Sequence, residues 1–200
     1  MGRKNSVGTA NGLPNGLPNG ERAGGAAAGS GAPIPRHLLV MRTSAMGDVA
    51  MLPHALRALT AAYPDLRVTV ATQAMFSPFF AGLDVGFLDV DVKGAHHSLA
   101  GMWRLAAQAR RLGVDAVADV HDVLRSKAFR LAMRLHGVPA AHIDKGRAGK
   151  RVFIRCGGRG MEPLRHTVLR YCDVFRKLGF VLDDPAPAVR RDRPNPFGEK

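Results

Sequence analysis

Apolar positions fall into two periods along this chain, and the change of period marks its elements. Leu38 to Met41 is an unbroken apolar run of strand length. After the polar turn Arg42-Thr43-Ser44, apolar residues recur at Val49, Leu52, Ala55, Leu56, Leu59 and Tyr63, the spacing of one helix face. Pro53 falls early enough in that helix to be tolerated with a local distortion, and Pro64 ends it.

The alternation then repeats. Arg67 to Ala71 reads as a second strand with Val68 and Val70 on one face, and 76 to 83 as a short apolar helix or turn. Gly86 to Val92 alternates as a third strand. Ser98 can cap a helix from Leu99 to Leu112 whose face holds Met102, Leu105, Ala106 and Ala109, with Gly113 as the stop. Val114 to Val120 reads as a buried strand, followed by a basic helix from Val123 to Leu135 and the stop Gly137. Ala141 to Ile143 and Val152 to Ile154 are short strand candidates, and Thr167 to Leu178 is a last helix closed by Gly179. Strands and helices alternating at this spacing predict an α/β fold with a Rossmann-like, doubly wound parallel sheet. Ligands of such sheets bind where strand carboxyl ends meet helix N-termini.

Composition divides the 200 residues into three parts. In residues 1–35 the unit Gly-Leu-Pro-Asn is used twice, followed by an Ala- and Gly-rich stretch. Such a segment buries too little apolar surface to offset its ordering entropy and reads as a disordered tail. Residues 36–184 form one domain. From 185 the prolines Pro185, Pro187, Pro194 and Pro196 stand among charges, as in a linker leading into another unit.

Charge narrows the partners. The net charge is +13, and the first 36 residues contribute little of it, holding Arg3, Lys4, Arg22 and Arg36 against Glu21. A globular part this basic points to an anionic partner: nucleic acid, an acidic membrane surface or a phosphorylated substrate. Cys156 and Cys172 are too few for a disulfide framework, which suits a reducing compartment. No apolar run approaches the roughly 18 residues of a membrane span, so any membrane contact is peripheral.

The candidate chemistry lies at three places. Asp48, at the start of the first helix, is either its N-cap or a carboxylate available as a general base. Thr43, Ser44 and Gly47 form the turn before it, where hydroxyls and N–H groups can hold a sugar hydroxyl, a carboxylate or a phosphate; the plainer reading is a tight turn that needs Gly47. His121, Asp122, Arg125 and Ser126 lie beyond the carboxyl end of the Val114 to Val120 strand, Asp122 being also a candidate N-cap. Lys145 and Arg147 open a basic loop that also holds Lys150 and Arg151; such a run is either a solvated loop or an anion clamp. No Gly-x-Gly-x-x-Gly and no Walker lysine is present, which counts against a nucleotide-binding Rossmann domain.

The stretch Arg42-Thr-Ser-Ala-Met-Gly-Asp-Val49, with Leu52-Pro53 and Tyr63-Pro64 behind it, resembles the opening signature of the heptosyltransferase-type glycosyltransferases of family 9, which build the inner core of lipopolysaccharide. The stretches 115–126, 144–147 and 166–179 match in the same order, so the resemblance runs from about 37 to 185. It implies the N-terminal half of a GT-B glycosyltransferase and inverting, metal-independent transfer of a heptose from ADP-heptose to a lipopolysaccharide core acceptor. No cofactor is implied. Asp48 matches the family's catalytic base. Thr43, Ser44, Gly47, His121, Asp122, Arg125, Ser126, Lys145 and Arg147 fall where the acceptor is bound. The implied partners are a nucleotide-sugar donor held by a second, C-terminal domain that this chain lacks, and an anionic lipid-linked saccharide at the inner membrane of a cytoplasmic enzyme. On that reading the chain alone does not turn over, and nucleic acid is not an expected partner. Where several family members carry Gln-Gly and Lys-Ser, this chain has His121-Asp122 and Arg125-Ser126, which leaves the acceptor's identity open. The alternative is a basic α/β module that binds nucleic acid or another polyanion without catalysis.

Overall fold

The computed structural model describes residues 34–146 and 165–185. The low-complexity tail, Arg147 with the rest of the basic loop, the Val152 to Ile154 strand candidate, Cys156 and the proline-rich stretch after 185 lie outside these residues.

Five parallel strands form one sheet in the order β3-β2-β1-β4-β5: β1 (His37–Met41), β2 (Arg67–Thr72), β3 (Gly86–Asp89), β4 (Ala116–Asp119) and β5 (Ala140–His142). Every connection returns to the same edge of the sheet through helical chain. The helices are α1 (Met46–Ala62), α2 (Leu99–Arg111), α3 (Leu124–Leu135) and α4 (Thr167–Arg176), with a 3-10 turn at Ala74–Phe80.

Side-chain alternation in β1 decides the layering. Leu38 and Val40 point to one face and pack with Leu52, Leu56 and Leu59 of α1 and with Tyr171 and Phe175 of α4. Leu39 and Met41 point to the other and pack with Met102, Leu105 and Ala109 of α2 and with Phe129 and Met133 of α3. With both faces covered, β1 reads as an apolar run rather than an alternating one. The result is the doubly wound sheet that the periodicity predicts. Pro53 lies inside α1 without ending it, its ring buried among these core residues.

Two differences from the sequence reading have local causes. β3 ends at Asp89 rather than Val92. The Asp91 carboxylate accepts the N–H groups of Lys93, Gly94 and Ala95 at 3.2, 2.8 and 3.0 Å, a turn that draws the chain out of the sheet. β4 likewise keeps only its central residues, although Val114 and Val120 at its flanks remain buried. The helix stops Gly113 and Gly137 adopt φ +78° and +80°, where a side chain is strained.

Candidate active site at the β1/β4 crevice

Strand order reverses direction between β1 and β4, which is where ligands of open α/β sheets bind. Both strands end together: Met41 pairs with Asp119, and the Val120 N–H reaches the Met41 carbonyl at 3.2 Å. The loops Arg42–Ser44 and Val120–Asp122 therefore leave the sheet side by side.

Arg42 anchors the first loop. It is 8% exposed, donates to the Val120 carbonyl and to the Asp48 carboxylate, and lies 6.0 Å over the Tyr171 ring. Tyr171 of α4 in turn donates its hydroxyl to the Asp48 carbonyl at 3.0 Å. Burial, against an opposing pull from Arg42 and with a smaller push from the Asp48 charge, raises the Tyr171 phenol to about 12, so it stays a proton donor at neutral pH. Asp48 is not an N-cap. Ala45 holds that position without a side-chain bond, and Asp48 sits in the first turn of α1 with its carboxylate 45% exposed. Gly47, beside it, has no positive φ, and a Cβ there would meet nothing within 4 Å. The turn itself does not need glycine.

His121 joins the two loops. Its ring nitrogens lie 3.1 Å from the Thr43 hydroxyl and 3.1 Å from the Ser44 hydroxyl. Burial first, then Arg42, Lys145 and Arg125, lower its pKa to about 4, against a smaller opposing pull from Asp122. At neutral pH the ring is uncharged, with one nitrogen donating and the other accepting. Gln73, just past β2, donates to the Thr43 carbonyl and holds the same loop from the far side.

Asp119 organises the second loop. It is fully buried at the end of β4 and accepts the N–H groups of His121 and Asp122 at 3.0 and 2.8 Å. Its other oxygen takes the Arg130 guanidinium at 2.7 Å. These bonds hold Asp122 at φ +49°, so it precedes α3 rather than capping it; the cap position belongs to Val123. The Ser126 hydroxyl accepts the Val123 N–H at 2.9 Å, closing the helix start. Arg125 donates to the Val92 carbonyl at 2.8 Å, and Lys145 to the Asp122 carbonyl at 2.8 Å.

The fold thus brings Thr43, Ser44, Gly47, Asp48, His121 and Asp122 to one crevice, with Lys145 on its Asp122 side. Thr43, His121, Arg125 and Ser126 share a small recess with Met41, Val92 and Met102. Arg147 lies outside the described residues. Sequence reasoning assigned no individual role to Arg42 or Tyr171, placed Asp119 only within the strand-end rim, and counted Arg130 only among the basic residues. For Asp119 a signal existed, since a carboxylate ending an apolar strand has to be paired when buried. For Tyr171 there was none. Among the described residues no group of three or more His, Cys, Asp or Glu is placed to hold a metal.

No family model matches the chain. Over 93 residues it is 30% identical to the phenylalanine–tRNA ligase alpha subunit of Xanthomonas euvesicatoria pv. vesicatoria (strain 85-10), covering 44% of this chain and 27% of that protein. The same subunit from Xanthomonas axonopodis pv. citri (strain 306) is 29% identical over 93 residues. The chain therefore spans about a quarter of the length of these curated relatives. Among solved structures, the family 9 glycosyl transferase of Veillonella parvula DSM 2008 superposes with a TM-score of 0.57 at 18% identity, over 76% of this chain and 44% of that one. The E. coli heptosyltransferase WaaC, solved with ADP-2-deoxy-2-fluoro heptose, superposes with a TM-score of 0.52 at 19% identity, over 74% and 50%. The chain spans about half the length of these structures. Its five-stranded parallel α/β architecture is that of the heptosyltransferase-like glycosyltransferases.

Proposed function

We propose that this chain is the acceptor-binding half of an inverting glycosyltransferase that moves a heptose from ADP-heptose to a lipopolysaccharide core acceptor. The observation that carries the proposal is the Asp48 carboxylate. It stands half exposed at the mouth of the β1/β4 crevice, held from behind by buried Arg42. In the proposed reaction Asp48 takes the proton of an acceptor hydroxyl as that oxygen attacks the anomeric carbon. The sugar–phosphate bond breaks on the opposite face, and the nucleoside diphosphate leaves with the electron pair. Thr43, Ser44 and neutral His121 would orient the acceptor's hydroxyls. Arg125, Lys145 and Arg147 would meet its carboxylates or phosphates. The donor would be held by a second domain across the cleft, as the resemblance of residues 37 to 185 implies. The ADP-2-deoxy-2-fluoro heptose in the E. coli WaaC structure supports this choice of donor.

Two measurements test the proposal. Calorimetric titration of the chain with a delipidated core oligosaccharide should show saturable binding that weakens in Arg125→Ala. Binding to a DNA duplex instead, falling steeply with salt, would replace this reading with the basic polyanion module that the +13 charge also allows. In an enzyme completed by a donor domain, Asp48→Asn should abolish transfer with acceptor binding retained. Unchanged turnover would remove Asp48 as the base.

A further inference from the structure

The outer surface of α2 and α3 is apolar and cationic at once, and neither helix contains a single Asp or Glu. The two helices pack side by side over one face of the sheet. On α3, Phe129, Ala132 and Met133 satisfy the core, yet Leu124, Leu131 and Leu135 form a second stripe facing solvent at 74, 54 and 65% exposure. Residues spaced by seven and four lie on one side of a helix, so these three leucines line up. On α2, Leu99 and Trp103 are exposed in the same way, one turn apart. Packing among the described residues explains none of the five.

Cations frame these residues. Arg104, Arg110 and Arg111 are exposed on α2, and Lys127 and Arg134 on α3. Among the described residues none of the five is paired with a carboxylate at close range, apart from Lys127 at 3.9 Å from Asp122. An apolar stripe bordered by long basic side chains, with a tryptophan among them, is what lies flat in a lipid interface. Leucines enter the acyl boundary, and guanidinium groups reach the phosphates. The other occupants fit less well. A second copy would bring two faces of the same strong charge together. A nucleic acid would match the charge and leave the leucines in water.

We propose that the α2/α3 face docks the protein onto a bilayer rich in anionic headgroups. The orientation is favourable, because helices of a parallel sheet begin at the strands' carboxyl edge. Leu124 follows Asp122 by two residues, and Arg125 ties the start of α3 to the loop before α2. Docking through this face holds the β1/β4 crevice beside the surface from which a lipid-linked acceptor would present its sugars. The purpose of the contact rests on the acceptor reading above; the surface itself does not.

Trp103 is the single tryptophan of the chain and reports directly on its own stripe. The full chain is titrated with phosphatidylethanolamine–phosphatidylglycerol vesicles, and in parallel with phosphatidylcholine vesicles. With the anionic vesicles the emission should shift to the blue and become shielded from acrylamide; with phosphatidylcholine it should not. The double variant L131S/L135S should weaken vesicle binding by about tenfold. Replacing Arg104 and Arg111 by Gln should weaken it by roughly fivefold per charge. Failure to bind anionic vesicles, or binding that leaves Trp103 emission unchanged and ignores L131S/L135S, overturns the proposal. So does self-association without lipid, or binding to a DNA duplex and not to vesicles. L131S/L135S should still bind the delipidated oligosaccharide like the parent chain. Vesicle binding without oligosaccharide binding would therefore remove the acceptor reading and leave the docking surface standing.

Discussion

Tyr171 donates its hydroxyl to the main-chain carbonyl of Asp48 at 3.0 Å, across 123 residues of sequence. The same ring lies under the Arg42 guanidinium, which is bonded to the Asp48 carboxylate. Helix α4 therefore fixes both the backbone and, through Arg42, the side chain of the candidate base. Tyr171→Phe keeps the ring and removes only the donor. It is expected to cost about 1 kcal/mol in denaturant unfolding, the net worth of one such bond. Tyr171→Ala also empties a fully buried site and should cost about 3–5 kcal/mol. Equal losses for the two variants would show that the hydroxyl, rather than the ring, carries the contact.

Gly47 separates folding from binding. It occupies the first turn of α1 at an ordinary φ, and added bulk there would meet open space. Gly47→Ala should leave stability unchanged or raise it by about 0.5–1 kcal/mol, because alanine loses less backbone entropy in a helix. If a ligand approaches the N–H groups at this helix start, the new methyl intrudes on it. Oligosaccharide affinity should then fall while the melting temperature does not. Loss of stability would restore the reading that the turn requires glycine.

Arg130 and Asp119 test how the second loop is held. Asp119 has no solvent exposure, so removing Arg130 leaves a buried carboxylate without its cation. Arg130→Met is expected to cost about 3–5 kcal/mol, measured by denaturant unfolding. Adding Asp119→Asn to that variant removes the stranded charge and should recover part of the loss. No recovery would mean that Asp119 acts mainly through its bonds to the His121 and Asp122 N–H groups.

How far the sequence carried this reading follows from the range of each interaction. Periods of two and 3.6 arise from neighbours within a few residues, so β1, α1, α2, α3 and α4 were legible to within a few positions. The end of β3 was not, because it depends on three N–H groups converging on Asp91. The crevice was legible in outline, since strand ends and helix starts can be read locally. What organises it was not. Arg42 meets Val120 across 78 residues, and Asp122 takes a left-handed φ that nothing beside it in the sequence requires. Both candidate caps, Asp48 and Asp122, gave way because Ala45 and Val123 took those positions.

His121 gives the site a pH dependence of definite sign. Its folded-state pKa is about 4, against an ordinary 6.5, chiefly because the ring is buried and then because Arg42, Lys145 and Arg125 surround it. The unfolded chain therefore binds this proton more readily than the native one. The stabilising contribution is fully present above about pH 6.5, falls as the pH drops toward 4, and is lost below that, by up to about 3 kcal/mol. His37 and His142, whose pKa values burial also lowers, act in the same direction, so the test is a difference. His121→Gln keeps one donor and one acceptor for Thr43 and Ser44 and removes the titration. Unfolding free energies of the two proteins, measured from pH 7.5 to 4, should converge as the pH falls if the variant is the less stable at neutral pH, and diverge, with the variant the more stable at low pH, if it is equal there. Parallel curves would show that the ring is solvated in solution, and the bonds of His121 to Thr43 and Ser44 would lose their claim to join the two loops.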